Sequence, residues 1–86
     1  MSNLIHLPLG QLALDREIGK AEESVAELSR DFNELTSQAA DFRSNGIRIP
    51  VGLNSAIEET EEKLIEKQSH LKALKDLREL AKALKR

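Results

Sequence analysis

The feature that most constrains this chain is an unbroken apolar stripe between residues 14 and 42. Its members follow one another at alternating steps of four and three residues: Leu14, Ile18, Ala21, Val25, Leu28, Phe32, Leu35, Ala39 and Phe42. A repeat of 3.5 residues keeps one narrow seam of a helix facing a neighbouring helix along its whole length. This heptad stripe therefore predicts a long helix that packs against another long helix.

The end of the first helix is marked by a glycine signal. Asn45 and Gly46 supply a left-handed cap, with Gly46 in the position that favours a positive φ. Phe42 and Ile47 then occupy the two positions that are joined in a Schellman motif. We predict the first helix over residues 11–44.

A second helix is predicted over residues 54–86. It begins near Asn54 or Ser55, because Ser55 and Glu58 have the spacing of a capping box. No glycine or proline follows in the rest of the chain. Two helices of similar length with a short connection are expected to lie antiparallel. The predicted fold is all-α, a coiled-coil-like helical hairpin.

The connection, residues 45–53, carries more aliphatic residues than a solvated loop needs. These are Ile47, Ile49, Val51 and Leu53, and they alternate with other residue types in a strand-like pattern. Pro50 holds its predecessor extended. Two interpretations stay open: the aliphatics close the end of a helical bundle, or they form an extended segment that docks on a partner.

The N-terminal residues 1–10 are apolar but irregular. Pro8 disfavours helical geometry at Leu7, so we predict an arm that leads into the first helix. The arm folds onto its own bundle or reaches another subunit. A kinked helix through Pro8 is the alternative, because Leu4 and Leu7 would continue the heptad spacing.

The apolar face of the second helix widens after residue 70. The chain has 86 residues, of which only 2% are aromatic, so a compact core within one chain is not expected. Two helices alone cannot shield both this face and the heptad stripe from water. We therefore predict a homodimer or higher oligomer, such as a four-helix bundle. The predicted oligomer or partner interface comprises Leu14, Ile18, Val25, Leu28, Phe32, Leu35, Phe42, Ile47, Ile49, Val51, Leu53, Leu71, Leu74, Leu77, Leu80 and Leu84.

Charge is unevenly distributed, although the net charge is only −2. Residues 14–43 hold eight acidic and four basic residues, whereas residues 71–86 hold six basic and two acidic residues. An antiparallel hairpin matches these gradients. Possible contacts to an anion such as a nucleic-acid phosphate are Lys72, Lys75, Lys82, Lys85 and Arg86.

No signature of catalysis, metal binding or a cofactor is found. The chain has no cysteine, and its two histidines, His6 and His70, lack the spacing of metal ligands. The many glutamates lie on predicted solvated faces, which disfavours acid–base catalysis. No apolar run is long enough to span a membrane, and the N-terminus does not resemble a signal peptide. We expect a cytoplasmic protein.

The first functional hypothesis is a non-enzymatic protein-binding module. It would self-associate and act on another protein as an adaptor, a chaperone-like subunit, an inhibitor or a regulator. The alternatives are a small nucleic-acid-binding regulator that uses the basic end of the second helix, or an oligomer with a ligand pocket between subunits. Salt-dependent binding would distinguish the nucleic-acid hypothesis.

Overall fold

The chain forms an antiparallel hairpin of two long helices. In a computed structural model, α1 spans Ser2–Ser44 and α2 spans Val51–Leu84. The structure describes the backbone of residues 2–84 and the side chains of residues 12–84. The two helices pack along their length into a rod with principal extents of 67, 18 and 14 Å. The predicted all-α hairpin is therefore confirmed.

The end of α1 is a Schellman motif, as the sequence predicts. The Ile47 N–H donates to the Phe42 carbonyl at 2.8 Å, and the Gly46 N–H donates to the Arg43 carbonyl at 3.1 Å. Gly46 has a φ of 69°, in the left-handed region. These two bonds satisfy carbonyl groups that the last turn of a helix leaves without partners.

Gly46→Ala should therefore destabilise the hairpin although it adds only one methyl group. A Cβ at this position would meet nothing within 4 Å, so the cost is backbone strain alone, about 1–2 kcal/mol. Gly19→Ala is the matched control, because a Cβ there also meets nothing and alanine favours a helix interior by about 1 kcal/mol. Thermal unfolding followed by circular dichroism should show opposite shifts. A higher melting temperature for Gly46→Ala would contradict the motif.

The connection is shorter than the sequence predicts, and α2 begins at Val51 rather than at Asn54 or Ser55. The Pro50 carbonyl accepts hydrogen bonds from the N–H groups of Leu53 and Asn54, both at 3.1 Å. These bonds start the helix one turn earlier, so the predicted capping box at Ser55 lies inside α2. The strand-like alternation of residues 47–53 does not form a β-strand in the described backbone, residues 2–84.

The bounds of α1 include residues 2–10, for which the sequence favours an arm. This helical course is the alternative in which Leu4 and Leu7 continue the heptad spacing past Pro8. A proline removes one backbone donor and strains its own turn, and such a local cost does not prevent a helix from continuing. How the segment packs concerns side chains outside the described residues, and both interpretations of that packing stay predictions.

Candidate protein-binding surfaces

The heptad stripe of α1 lies against α2 of the same chain. Ile18, Ala21 and Ala39 are buried, with 3%, 5% and 7% of their surface exposed. The other six members of the stripe are half-buried. Most of these residues are predicted from the sequence to form an oligomer or partner interface, whereas in the structure they pack within the hairpin.

The matching seam of α2 mixes apolar and polar residues. Its half-buried members recur at the same steps of three and four: Leu53, Ile57, Thr60, Leu64, Leu71, Leu74, Arg78 and Ala81. Lys67, which shares this spacing, is exposed. The Thr60 hydroxyl donates to the Ala56 carbonyl of its own helix at 2.7 Å, which satisfies the polar group without a partner on α1.

The wide leucine face predicted for the end of α2 is divided by the packing. Leu71 and Leu74 turn toward α1, whereas Leu77, Leu80 and Leu84 remain 53%, 56% and 78% exposed. These last three residues follow one another at steps of three and four, so they share one side of the helix. We call them the outer leucine face.

The four aliphatics of the connection also divide. Ile49 and Leu53 are half-buried, as expected for residues that close the end of the bundle. Ile47 and Val51 are 54% and 80% exposed, as expected for residues available to a partner. Val51 and Leu53 lie in α2, so the predicted extended segment is confined to residues before Val51, and docking on a partner stays a prediction.

The basic residues near the end of α2 are paired with carboxylates. Across the hairpin, Lys75 lies 3.7 Å from Glu22 and Arg78 lies 3.7 Å from Asp15. Within α2, Lys72 lies 3.4 Å from Asp76 and Lys82 lies 3.8 Å from Glu79. At this end of the hairpin, basic residues of α2 therefore lie beside acidic residues of α1, as the sequence predicts. The other two predicted anion contacts, Lys85 and Arg86, have side chains outside the described residues.

The opposite end of the hairpin lacks the corresponding match. The sequence predicts that the acidic start of α2 lies near Arg43 and Arg48. No ion pair joins these groups in the part of the chain that the structure describes. Exposed pairs contribute only about 0–1 kcal/mol each, so their absence costs the fold little.

Arg78 occupies a seam position, which the sequence interpretation missed. Steps of three and four from Leu71 and Leu74 lead to this residue, so the signal was available in the spacing. Its Nε atom is buried without a hydrogen-bond partner, while its Nη1 atom approaches Asp15. A polar residue at one seam position can fix the register of two helices, usually at some cost in stability.

The described residues hold neither a metal-binding cluster nor a membrane span. Within residues 12–84, no group of three or more histidine, aspartate or glutamate side chains is placed to hold a metal ion. Over the described range, neither helix contains a stretch long and apolar enough to cross a bilayer.

Comparison with known proteins adds no relative. No family model, curated protein or solved structure matches this chain. Function is therefore inferred from the surfaces described above.

Proposed function

We propose that this protein is a self-associating, non-enzymatic interaction module that holds a helix of another protein. It would act on that partner as an adaptor, a chaperone-like subunit, an inhibitor or a regulator. The outer leucine face is the proposed contact surface. Exposed Ile47 and Val51 at the other end of the hairpin offer a second contact point.

The observation that carries this proposal is the exposure of Leu77, Leu80 and Leu84 on one side of α2. An amphipathic helix docks through anchors at i, i+3 and i+7, and the outer leucine face presents that spacing. Apolar residues clustered on one side of a surface helix are typical of a binding site, whereas scattered single ones are common on any surface.

A binding role is also favoured by the small interior of the hairpin. Only Ile18, Ala21 and Ala39 are buried among the side chains that the structure describes. A helical hairpin with so small a core gains stability from any partner that binds its folded form.

The arrangement of the acidic residues supports a role without catalysis. Glu58, Glu59, Glu61 and Glu62 are all exposed on α2. Acid–base catalysis requires carboxyl groups held in a cleft that partly shields them from water, and a solvated helix face does not provide that.

Substitution of the outer leucine face should abolish partner binding. The immobilised protein and its L77D/L80D variant would be exposed to an extract of the source organism, and the retained proteins identified by mass spectrometry. We expect the variant to retain at most about one tenth of the partner that the parent chain retains, because buried apolar anchors dominate helix recognition.

The N33D/S37D variant is the control for this experiment. Asn33 and Ser37 are exposed on α1, so the variant adds the same charge outside the outer leucine face. Circular dichroism would establish that all three proteins are equally helical. Retention of the same proteins by L77D/L80D and the parent chain would refute the proposed contact surface.

A further inference from the structure

A second surface of α2 carries charges in a particular order. Residues at steps of three and four on this surface are all exposed: Glu58, Glu61, Ile65, Gln68, Lys72 and Lys75. From Glu58 to Lys75 the order along the helix is acidic, then neutral, then basic, and the acidic Glu79 follows at the next step of four. We call this the charge-ordered stripe. At 100° per residue it lies on the flank of α2 away from the outer leucine face.

An open groove lies beside the basic half of this stripe. It is lined by Val25 of α1 and by Gln68, Leu71, Lys72 and Lys75 of α2, and also by Asp76 of α2. The four α2 residues have the spacing i, i+3, i+4 and i+7, which forms the hole that receives one side chain in knobs-into-holes packing. Val25 and Leu71 are half-buried and give the groove an apolar floor.

Ile65 is the one large apolar side chain on the charge-ordered stripe, and it is 55% exposed. It lies one turn before the groove of its own chain, so it cannot enter that groove. A second copy that runs in the opposite direction can place its own Ile65 there. By twofold symmetry, each Ile65 then enters the groove of the other copy.

We propose that two copies pair antiparallel through their charge-ordered stripes. With Ile65 in the groove, Glu61 of one copy lies beside Lys75 of the other. Glu58 lies one turn further, at the level of Arg78, which faces α1, and of exposed Glu79, so Glu58 adds no net attraction. The same contacts are repeated on the other side of the twofold axis. A parallel arrangement would instead place acidic residues against acidic residues and basic against basic, which opposes association.

The proposed dimer leaves the outer leucine faces free. It rests on the self-association included in the proposed function and names the surface responsible. Lys75 and Lys72 already contact Glu22 and Asp76 of their own chain, at 3.7 and 3.4 Å. Exposed pairs of this kind are weak, so each lysine can be shared with a carboxylate of the second copy.

A charge-reversal experiment tests this dimer. The E58K/E61K and K72E/K75E variants would each be examined by sedimentation equilibrium, alone and as an equimolar mixture. The dimer dissociation constant of each variant alone should be at least about tenfold higher than that of the parent chain, because like charges then face each other across the interface. The mixture should regain the parent affinity as a heterodimer. Added salt should weaken the parent dimer.

The mixture also controls for misfolding, because two misfolded variants would not restore each other. A parent chain that remains monomeric at high protein concentration would overturn the inference. So would variants that dimerise as well as the parent chain. If L77D/L80D, rather than the charge variants, abolished the dimer, the second copy would lie on the outer leucine face and the inference would be wrong.

An introduced cysteine tests the register, since the chain has none of its own. Gln68 lies near the twofold axis of the proposed dimer, so Gln68→Cys should oxidise to a disulfide-linked dimer. Leu80→Cys on the other flank should not. Cross-linking of Leu80→Cys in preference to Gln68→Cys would contradict the arrangement. Partner retention by the outer leucine face is measured separately, so the two proposals can fail independently.

Discussion

Ile18→Asp is expected to abolish the cooperative unfolding of this hairpin. Ile18 is 3% exposed, the lowest value among the large apolar side chains that the structure describes. Aspartate there would lose the apolar contacts and place a charge against α2 without a partner. We expect a loss of about 3 kcal/mol or more in the free energy of unfolding, which is a large part of the stability of a small domain.

Leu12→Asp is the matched control for this prediction. It introduces the same charge in α1, but Leu12 is 62% exposed. Its effect should be within about 0.5 kcal/mol. Circular dichroism during thermal and urea unfolding would compare both variants with the parent chain. An Ile18→Asp variant that unfolds with the parent midpoint would show that the heptad stripe is not the core of the fold.

Ala39→Leu should destabilise the hairpin although leucine is the more hydrophobic residue. Ala39 is 7% exposed in the seam, so a larger side chain must push the two helices apart or adopt a strained rotamer. Overpacking of this kind costs about 1–3 kcal/mol.

The adjacent residue provides the control, because Ala40 is exposed. Ala40→Leu makes the same substitution one position away and should change the free energy of unfolding by no more than about 0.5 kcal/mol. Chemical denaturation of the two variants would measure the difference. Equal effects at the two positions would mean that the helices are not closely packed at Ala39.

The small interior has a further consequence for stability. Because so few side chains are buried, any second copy or partner that binds the folded hairpin adds stability by mass action. The melting temperature should therefore be interpreted together with protein concentration. Under the proposed dimer, the E58K/E61K variant loses this contribution even though its substituted positions are exposed in the single chain.

The sequence predicted some residues of the candidate surfaces but did not predict the groove. Ile47, Leu77 and Leu84, which the sequence predicts as partner contacts, are exposed in the hairpin, and their role in binding stays a prediction. The groove beside Gln68 was not predicted, because it includes Val25 from the other helix. Such a site exists only after the two helices have packed, so no local pattern in α2 reveals it.

The sequence by itself determined the heptad stripe and the end of α1. A strict 3.5-residue repeat defines one side of a helix wherever that helix lies, and Gly46 stops the helix through its own backbone preference. The tertiary structure decided which residues of α2 face α1. Leucines cover a wide part of that helix, so packing against α1 was needed to shield Leu74 partly, leave Leu77 exposed and place Arg78 in the seam. The start of α2 at Val51 depends instead on local backbone bonds, because the Pro50 carbonyl accepts from the N–H groups of Leu53 and Asn54 ahead of the capping signal at Ser55.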